Sequence, residues 1–410
     1  MLYKTTIDKD GHAIATISIF YAGATNSAGV TANTSAGATA NAITKNVKRT
    51  GVFEYQLMIR ITKTGLSFDG QLKSVFGLFK EICENEMNHA TIVFLRFFLS
   101  DATNQIKLLS DYLPENKSNI SIIEQPPLDG SKITLWAYLQ TEMKISENRS
   151  SSGLYKVQHG EYSHLWTGTT IKQEGDSEHQ MRALLNDYMI RLKEYDCTLA
   201  ENCIRTWIYA RNIDVDYAGI VKARRELFAE NGLTKKTHYI ASTGISGRYA
   251  DPKTSVLFDA YAIKGIRPEQ IQYLQAKTHL NPTHEYGVTF ERGTCVVYGD
   301  RRHVFISGTA SINNEGKIIH EGNVNKQACR MIENVGALLK KAECGIEDIA
   351  SVIVYLRDIA DYQNIRIILE QQFPEIPKVI VLAPVCRPGW LVEMECFAIK
   401  NDDNKNFAPL

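Results

Sequence analysis

Net charge, paired cysteines and long apolar runs are all missing from this chain. Lys and Arg number 46, and so do Asp and Glu, so no bulk field favours a phosphate backbone or an anionic membrane surface. Nucleic-acid and membrane partners are therefore not expected. The eight cysteines include no C-x-x-C pair, and Cys197 and Cys203 lack a matching His or Cys pair. That pattern fits neither a zinc module nor a disulfide scaffold, and no metal is expected. No apolar stretch approaches the ~20 residues that span a bilayer. The opening residues also lack the basic-then-apolar pattern of a secretory leader. Reduced thiols and these absences together predict a soluble cytoplasmic protein.

What is present is ordinary globular usage, 44% hydrophobic and 22% charged, which excludes wholesale disorder. A chain of 410 residues exceeds one ordinary core and predicts two or three domains. Residues 21–46, mostly Ala, Gly, Thr, Ser and Asn, have little to bury and read as a long flexible loop. Polar breaks at 144–153 and 279–286 read as junctions.

The chain repeats itself. HLWTGTT (164–170) and HVFISGTAS (303–311) are short strands running into Gly168-Thr169 and Gly308-Thr309. Helical patterns follow at equal spacing, Gln180 to Cys197 and Gln327 to Cys344. β-rich runs then place Arg211 against Arg357, and second helices run from Tyr217 to Phe228 and from Tyr362 to Phe373. Closing strands follow at 256–263 and 392–399. Register held through five elements marks two copies of one fold. A weaker copy precedes them: residues 76–101 align with the third copy so that Arg96 meets Arg357, and 133–140 is its closing strand. The Ala/Gly/Thr segment is expected to disturb its opening hairpin. The predicted units are 1–145, 146–283 and 284–402, each β-β-α-β-α-β. Ala328, Met331, Ile332, Val335, Leu338 and Leu339 form one apolar helical stripe. Single-faced helices pack on one side of a sheet, which makes the class α+β.

FERGTCVVYGDRRHVFISGTASI, the helix from Gln327, VIVYLRDIADY and APVCRPGWLVEMECFAI together resemble the Rid family (YjgF-like reactive-intermediate deaminases). Within it they are most similar to the chorismatases. The Cys-Arg-Pro ahead of Leu-Val-Glu-x-Glu carries that likeness, with the pattern Trp207, Tyr209, Ile213, Asp214, Tyr217, Arg224 in the second unit. The resemblance implies a chorismate-mutase-like α+β unit with sites in clefts between units. Three tandem units imply an intrachain pseudo-trimer, monomeric or weakly homo-oligomeric. It also implies release of pyruvate from chorismate without any organic cofactor, with Glu393 protonating the enolpyruvyl methylene. Cys386 tilts the implied product toward 3-hydroxybenzoate over a dihydrodiol. The alternatives are a Rid-like enamine or imine deaminase and a non-catalytic small-molecule binding protein.

The repeat serves as an internal control on these residues. Glu393 lies opposite Leu257 and Thr134 in the other copies, so the scaffold does not require an acid there. Glu393 and Glu395 share a strand face roughly 7 Å apart, and burial beside a like charge raises a carboxyl pKa toward that of a general acid. The bland alternative is two solvated glutamates. Cys386 is otherwise a small buried thiol. A carboxylate substrate calls for arginine. Arg224 lies opposite Leu369 in the repeat and is expected, with Tyr209 and Tyr217, to wall the site from unit two. Arg292 and Arg387 are the candidates from unit three. Thr309 is a candidate donor, although Gly168-Thr169 shows that the turn needs the pair anyway. Arg357 reads as structural. Rid deaminases carry a carboxylate-clamping Arg about 15 residues before the acid; here that position is Lys378, which weighs against deamination. One site per chain is expected.

Overall fold

A computed structural model describes residues 2–22, 51–87, 89–114, 119–145 and 153–410. Residues 23–46 of the Ala/Gly/Thr-rich segment, expected to be a flexible loop, lie outside the described residues.

The first unit runs β1 (Leu2–Lys9), β2 (Ala13–Tyr21), β3 (Phe53–Ile61), α1 (Phe68–Asn85), β4 (Thr91–Leu99), α2 (Ala102–Ser110), β5 (Ile120–Glu124) and β6 (Ile133–Gln140). The second runs β7 (Lys144–Ile145), β8 (Tyr155–His159), β9 (Tyr162–Ile171), α3 (Ser177–Lys193), β10 (Cys203–Ala210), α4 (Ile213–Glu230), β11 (Ala241–Ser246) and β12 (Val256–Lys264), with a single helical turn ahead of β10. The third runs β13 (Ile271–Tyr273), β14 (Gly293–Val297), β15 (Arg301–Ala310), α5 (Val324–Lys341), β16 (Ile349–Leu356), α6 (Tyr362–Gln372), β17 (Lys378–Leu382) and β18 (Val392–Asn401). Each unit is thus a six-stranded mixed sheet with two helices, in the same order from meander edge to parallel edge. The protein is an α+β pseudo-trimer of three like units.

Two expectations are corrected here. Each unit has two more strands than β-β-α-β-α-β, one before the opening hairpin and one parallel strand after the second helix. The opening hairpin of unit one is also undisturbed: β2 and β3 pair without a break from Ala13↔Ile61 to Tyr21↔Phe53.

The first helix of each unit begins on a side-chain cap, Ser67, Asp176 or Asn323, which accepts a backbone N–H of the opening turn. The α5 stripe from Ala328 to Leu339 is buried as its spacing predicts. A buried glutamine near each of these starts ties the helix to the closing strand. Gln327 donates to the carbonyls of His320 and Gly389 and accepts the N–H of Leu391. Gln180 and Gln71 make the same kind of bonds in their own units.

Side chains of each closing strand alternate between two cores. Phe258, Ala260 and Ala262 pack under the helices of unit two, whereas Leu257 and Tyr261 face a core shared by all three units. Phe94 of unit one, packed on Trp136, meets Trp166 and Trp207 of unit two there, and Tyr138 reaches Phe397 of unit three. The sheets therefore cover one another's inner faces, with the helices outside. No helix among the described residues is long and apolar enough to cross a membrane.

Ladder registers correct one repeat assignment. Tyr355 pairs with Glu393, Tyr209 with Leu257 and Phe98 with Thr134, so Glu393, Leu257 and Thr134 are equivalent, as expected. The same registers match Arg96 with Trp207 and Ile353, not with Arg357. The true counterpart of Arg357 and Arg211 in unit one is Ser100, whose N–H bonds at the same place. The sequence match slipped because an Arg lies four residues early in a strand of similar apolar residues.

Candidate active site

β18 carries Glu393 at the second/third-unit cleft. Its neighbours in the sheet are Ala310 of β15 and Tyr355 of β16. Only 4% of Glu393 is exposed, and its carboxyl makes no hydrogen bond among the described residues. Gly308 leaves room for it: a Cβ there would overlap the Glu393 Oε1 and press on Thr243. Burial foremost, then the charge of Glu395, raises the carboxyl to about 8, while Arg292 and Arg205 pull the other way.

Glu395, two residues on and also buried, is held quite differently. It accepts from Arg205 Nη2 at 2.7 Å, Trp207 Nε1 at 2.8 Å and the Thr243 hydroxyl. Arg96 of unit one stands 3.7 Å from it and 3.1 Å from Asp259 of unit two. One carboxylate is thus compensated by cations from two units, and its neighbour is left to stay protonated.

The cleft around Glu393 is lined by Tyr217, Arg224, Ser242, Gly244, Val288, Phe290, Arg292, Gly308, Ala310, Cys386, Arg387 and Trp390. Six expected site residues meet there: Glu393, Cys386, Arg224, Arg292, Tyr217 and Arg387. Arg224 is 2% exposed and donates to Thr289 at 3.3 Å. Arg292 is 5% exposed and donates to the Asn281 carbonyl at 3.0 Å. Two buried guanidiniums, one from each unit, therefore share a small space with a neutral acid. Cys386 is pushed up to about 12, chiefly by burial and then by Glu393, with Tyr217 bonding against that shift. It is a thiol, not a nucleophilic thiolate. Arg387 lies over the Trp390 ring, 4.9 Å from its centroid.

Two expected residues are elsewhere. Tyr209 sits on the inner face of its sheet, where Arg96 lies over its ring. Its counterpart in unit three is Tyr355, which pairs with Glu393, whereas Tyr209 pairs with Leu257. Thr309 pairs with Met394 and turns its hydroxyl to the Ser307 carbonyl at 2.9 Å, because adjacent strand residues face opposite sides. Lys378, which stands at the sequence position of the clamping Arg, is not beside Glu393 either. It is equivalent to Ser242, since Val352 pairs with Lys378 and Thr206 with Ser242. Ser242 is the residue facing Glu393, and Lys378 lies in another cleft.

Sequence reading missed Ser242, Phe290 and Val288 in the wall, and Arg96, Arg205 and Thr243 behind it. The wall residues lie on an edge strand and a loop without periodicity. Arg96 was visible only through a misplaced repeat match. The cleft encloses about 30 Å³, room for a water or two rather than a metabolite. A metabolite could enter only if the walls of the cleft moved apart.

Among known proteins, the family model described as endoribonuclease L-PSP matches residues 294–400, the stretch holding Glu393 and Cys386. A RutC family protein of Pyrococcus abyssi is 32% identical over 99 residues, 24% of this chain and 78% of its own. The 3-aminoacrylate deaminase RutC of Acinetobacter baylyi is 26% identical over 97 residues, 23% of this chain and 77% of its own. A crystal structure of a chorismatase superposes over 75% of this chain and 93% of its own, with a TM-score of 0.58 and 17% identity; this likeness concerns the fold.

Proposed function

The chain belongs to the RutC family, and from that premise we propose that it is a chorismatase-type enzyme releasing pyruvate from chorismate or a close enolpyruvyl ether. The observation that carries this reading is Glu393: a buried carboxyl raised to about 8, in a cleft with Arg224 and Arg292. At neutral pH it holds a proton, as a general acid must. It gives that proton to the terminal methylene carbon of the enolpyruvyl group, and the ether oxygen stabilises the resulting oxocarbenium ion. Water adds to the ether-bearing carbon of that ion, and the hemiketal collapses to pyruvate and the ring alcohol. Arg224 and Arg292 suit the two carboxylates of such a substrate, since planar guanidinium pairs with carboxylate bidentately. Cys386, neutral and small, shapes the ring end of the pocket. We assign 3-hydroxybenzoate as the product: the ring alcohol loses its second hydroxyl as water and becomes aromatic, which returns the water consumed in the first step, so its atoms and pyruvate's sum to those of chorismate.

The second reading is enamine or imine deamination, favoured by the name of the Acinetobacter relative. Against it, Ser242 and not an arginine faces the acid from the neighbouring edge strand.

The test is pyruvate release from chorismate by a coupled assay, with the aromatic products separated by chromatography and Glu393→Gln as control. Pyruvate with 3-hydroxybenzoate, lost in the variant, supports the assignment. Pyruvate with a dihydrodiol keeps the reaction class and removes Cys386 from product choice. No turnover, with hydrolysis of an imine substrate, transfers the protein to the second reading.

A further inference from the structure

Pseudo-threefold symmetry gives the Glu393 cleft a counterpart between units three and one, and its chemistry is inverted. Where the first cleft has Ala310 paired with Glu393, the second has Arg60 paired with Thr134. Where the first has Ser242, the second has Lys378. Tyr362 recurs at the place of Tyr217, and Leu369 at that of Arg224. The acid has gone and two cations have come in. This cleft is also much roomier, enclosing about 230 Å³ against about 30 Å³ for the first.

From this exchange we propose that the unit-three/unit-one cleft is a non-catalytic binding site for a small carboxylate with an apolar body, its carboxylate held by Arg60 and Lys378. Arg60 makes no hydrogen bond or ion pair among the described residues. Lys378 Nζ donates to the carbonyls of Phe373 at 2.6 Å and Pro374 at 3.3 Å, which leaves one of its three N–H groups for a ligand. The other charges in the cleft are Arg366, which pairs with Glu370 at 2.8 Å, and Asp129. Burial first and Arg60 second lower the Lys378 ammonium to about 8, with Glu370 pulling the other way. Ile14, Ile376 and Val379 supply an apolar wall on one side of a cleft whose lining is otherwise mostly polar. An apolar wall with a few convergent polar groups is the usual make-up of a small-molecule site. With Thr134 at the acid's position the site has no proton donor there. The inference does not depend on the reaction proposed for Glu393.

Calorimetric titration of the full chain with benzoate tests it. Benzoate is expected to bind, and Arg60→Ala to weaken binding at least 10-fold, with Arg60→Glu weakening it further. Arg60 is exposed, so neither variant should disturb folding, and thermal melting checks this. Glu393→Gln is expected to leave the affinity unchanged, because that acid lies in the other cleft. Absence of binding at millimolar benzoate would overturn the proposal. So would binding that the Arg60 variants leave intact, or tighter binding of inorganic phosphate than of benzoate, which would deny the apolar wall any part.

Discussion

Glu393 and Glu395 are two residues apart on one strand face, yet only one of them has ionic partners. That asymmetry makes the pH behaviour of Glu393 predictable. Pyruvate release (kcat/KM) should fall as pH rises through about 8, when the donor loses its proton, and Glu393→Gln should cut it by ~10²–10⁴. Stability follows the same linkage. The folded carboxyl titrates above its unfolded value of 4.5, so the folded state binds the extra proton, and stability is lost between those values as pH rises. Glu393→Gln removes this loss. It should melt like the parent near pH 4 and, by ~2–4 kcal/mol, more stably at pH 9, as denaturant titrations at both pH values would show. Gly308→Ala tests the packing around the same group. The added Cβ must displace the carboxyl end of Glu393, a flexible tip. Activity should therefore drop at least 10-fold while the melting temperature barely moves.

At the scale of elements, most of what the sequence made legible rests on periodicity and caps. The α5 stripe, the paired helices and the closing strands could be read because each buries one face with a fixed period. The short edge strands could not. β7 and β13 span two and three residues, too few to show alternation, and β17 is fixed by parallel pairing to a distant strand. Missing the parallel edge strands β11 and β17 hid Ser242 and the true surroundings of Lys378, since both residues lie on those edges. The repeated glutamine at the helix start was visible as spacing, and its purpose emerges only from its bonds. Gln327→Leu should cost ~1–3 kcal/mol in denaturant unfolding, because it strands a buried carbonyl and the Leu391 N–H. Gln71→Leu and Gln180→Leu should cost similar amounts, each in its own unit.

Across the whole molecule, equivalent positions have been given different work. One ring of positions near the pseudo-axis holds Trp136, Asp259 and Glu395, and the facing ring holds Arg96, Trp207 and Ile353. Arg96 of unit one thereby joins carboxylates of units two and three. Removing a buried cation leaves its partners uncompensated, so Arg96→Met should destabilise the protein by ~3–5 kcal/mol. If the three units act as one body, a single unfolding transition should shift, rather than one of several; calorimetry distinguishes the two.

By itself the sequence determined the unit, its threefold repetition and the acid that the scaffold does not need. These depend on local periodicity and on comparison between copies, both of which are written along the chain. Tertiary structure alone decided which residues share a cleft. Glu393 meets Arg224 and Ser242 of the preceding unit, while Lys378 of its own unit faces Arg60 of the first. Tyr209, placed with the site by its motif, pairs with Leu257 and packs against Arg96 instead, because strand alternation and sheet packing set its direction. The residues of each cleft come from two units, and no spacing along one chain records which edge will meet which face.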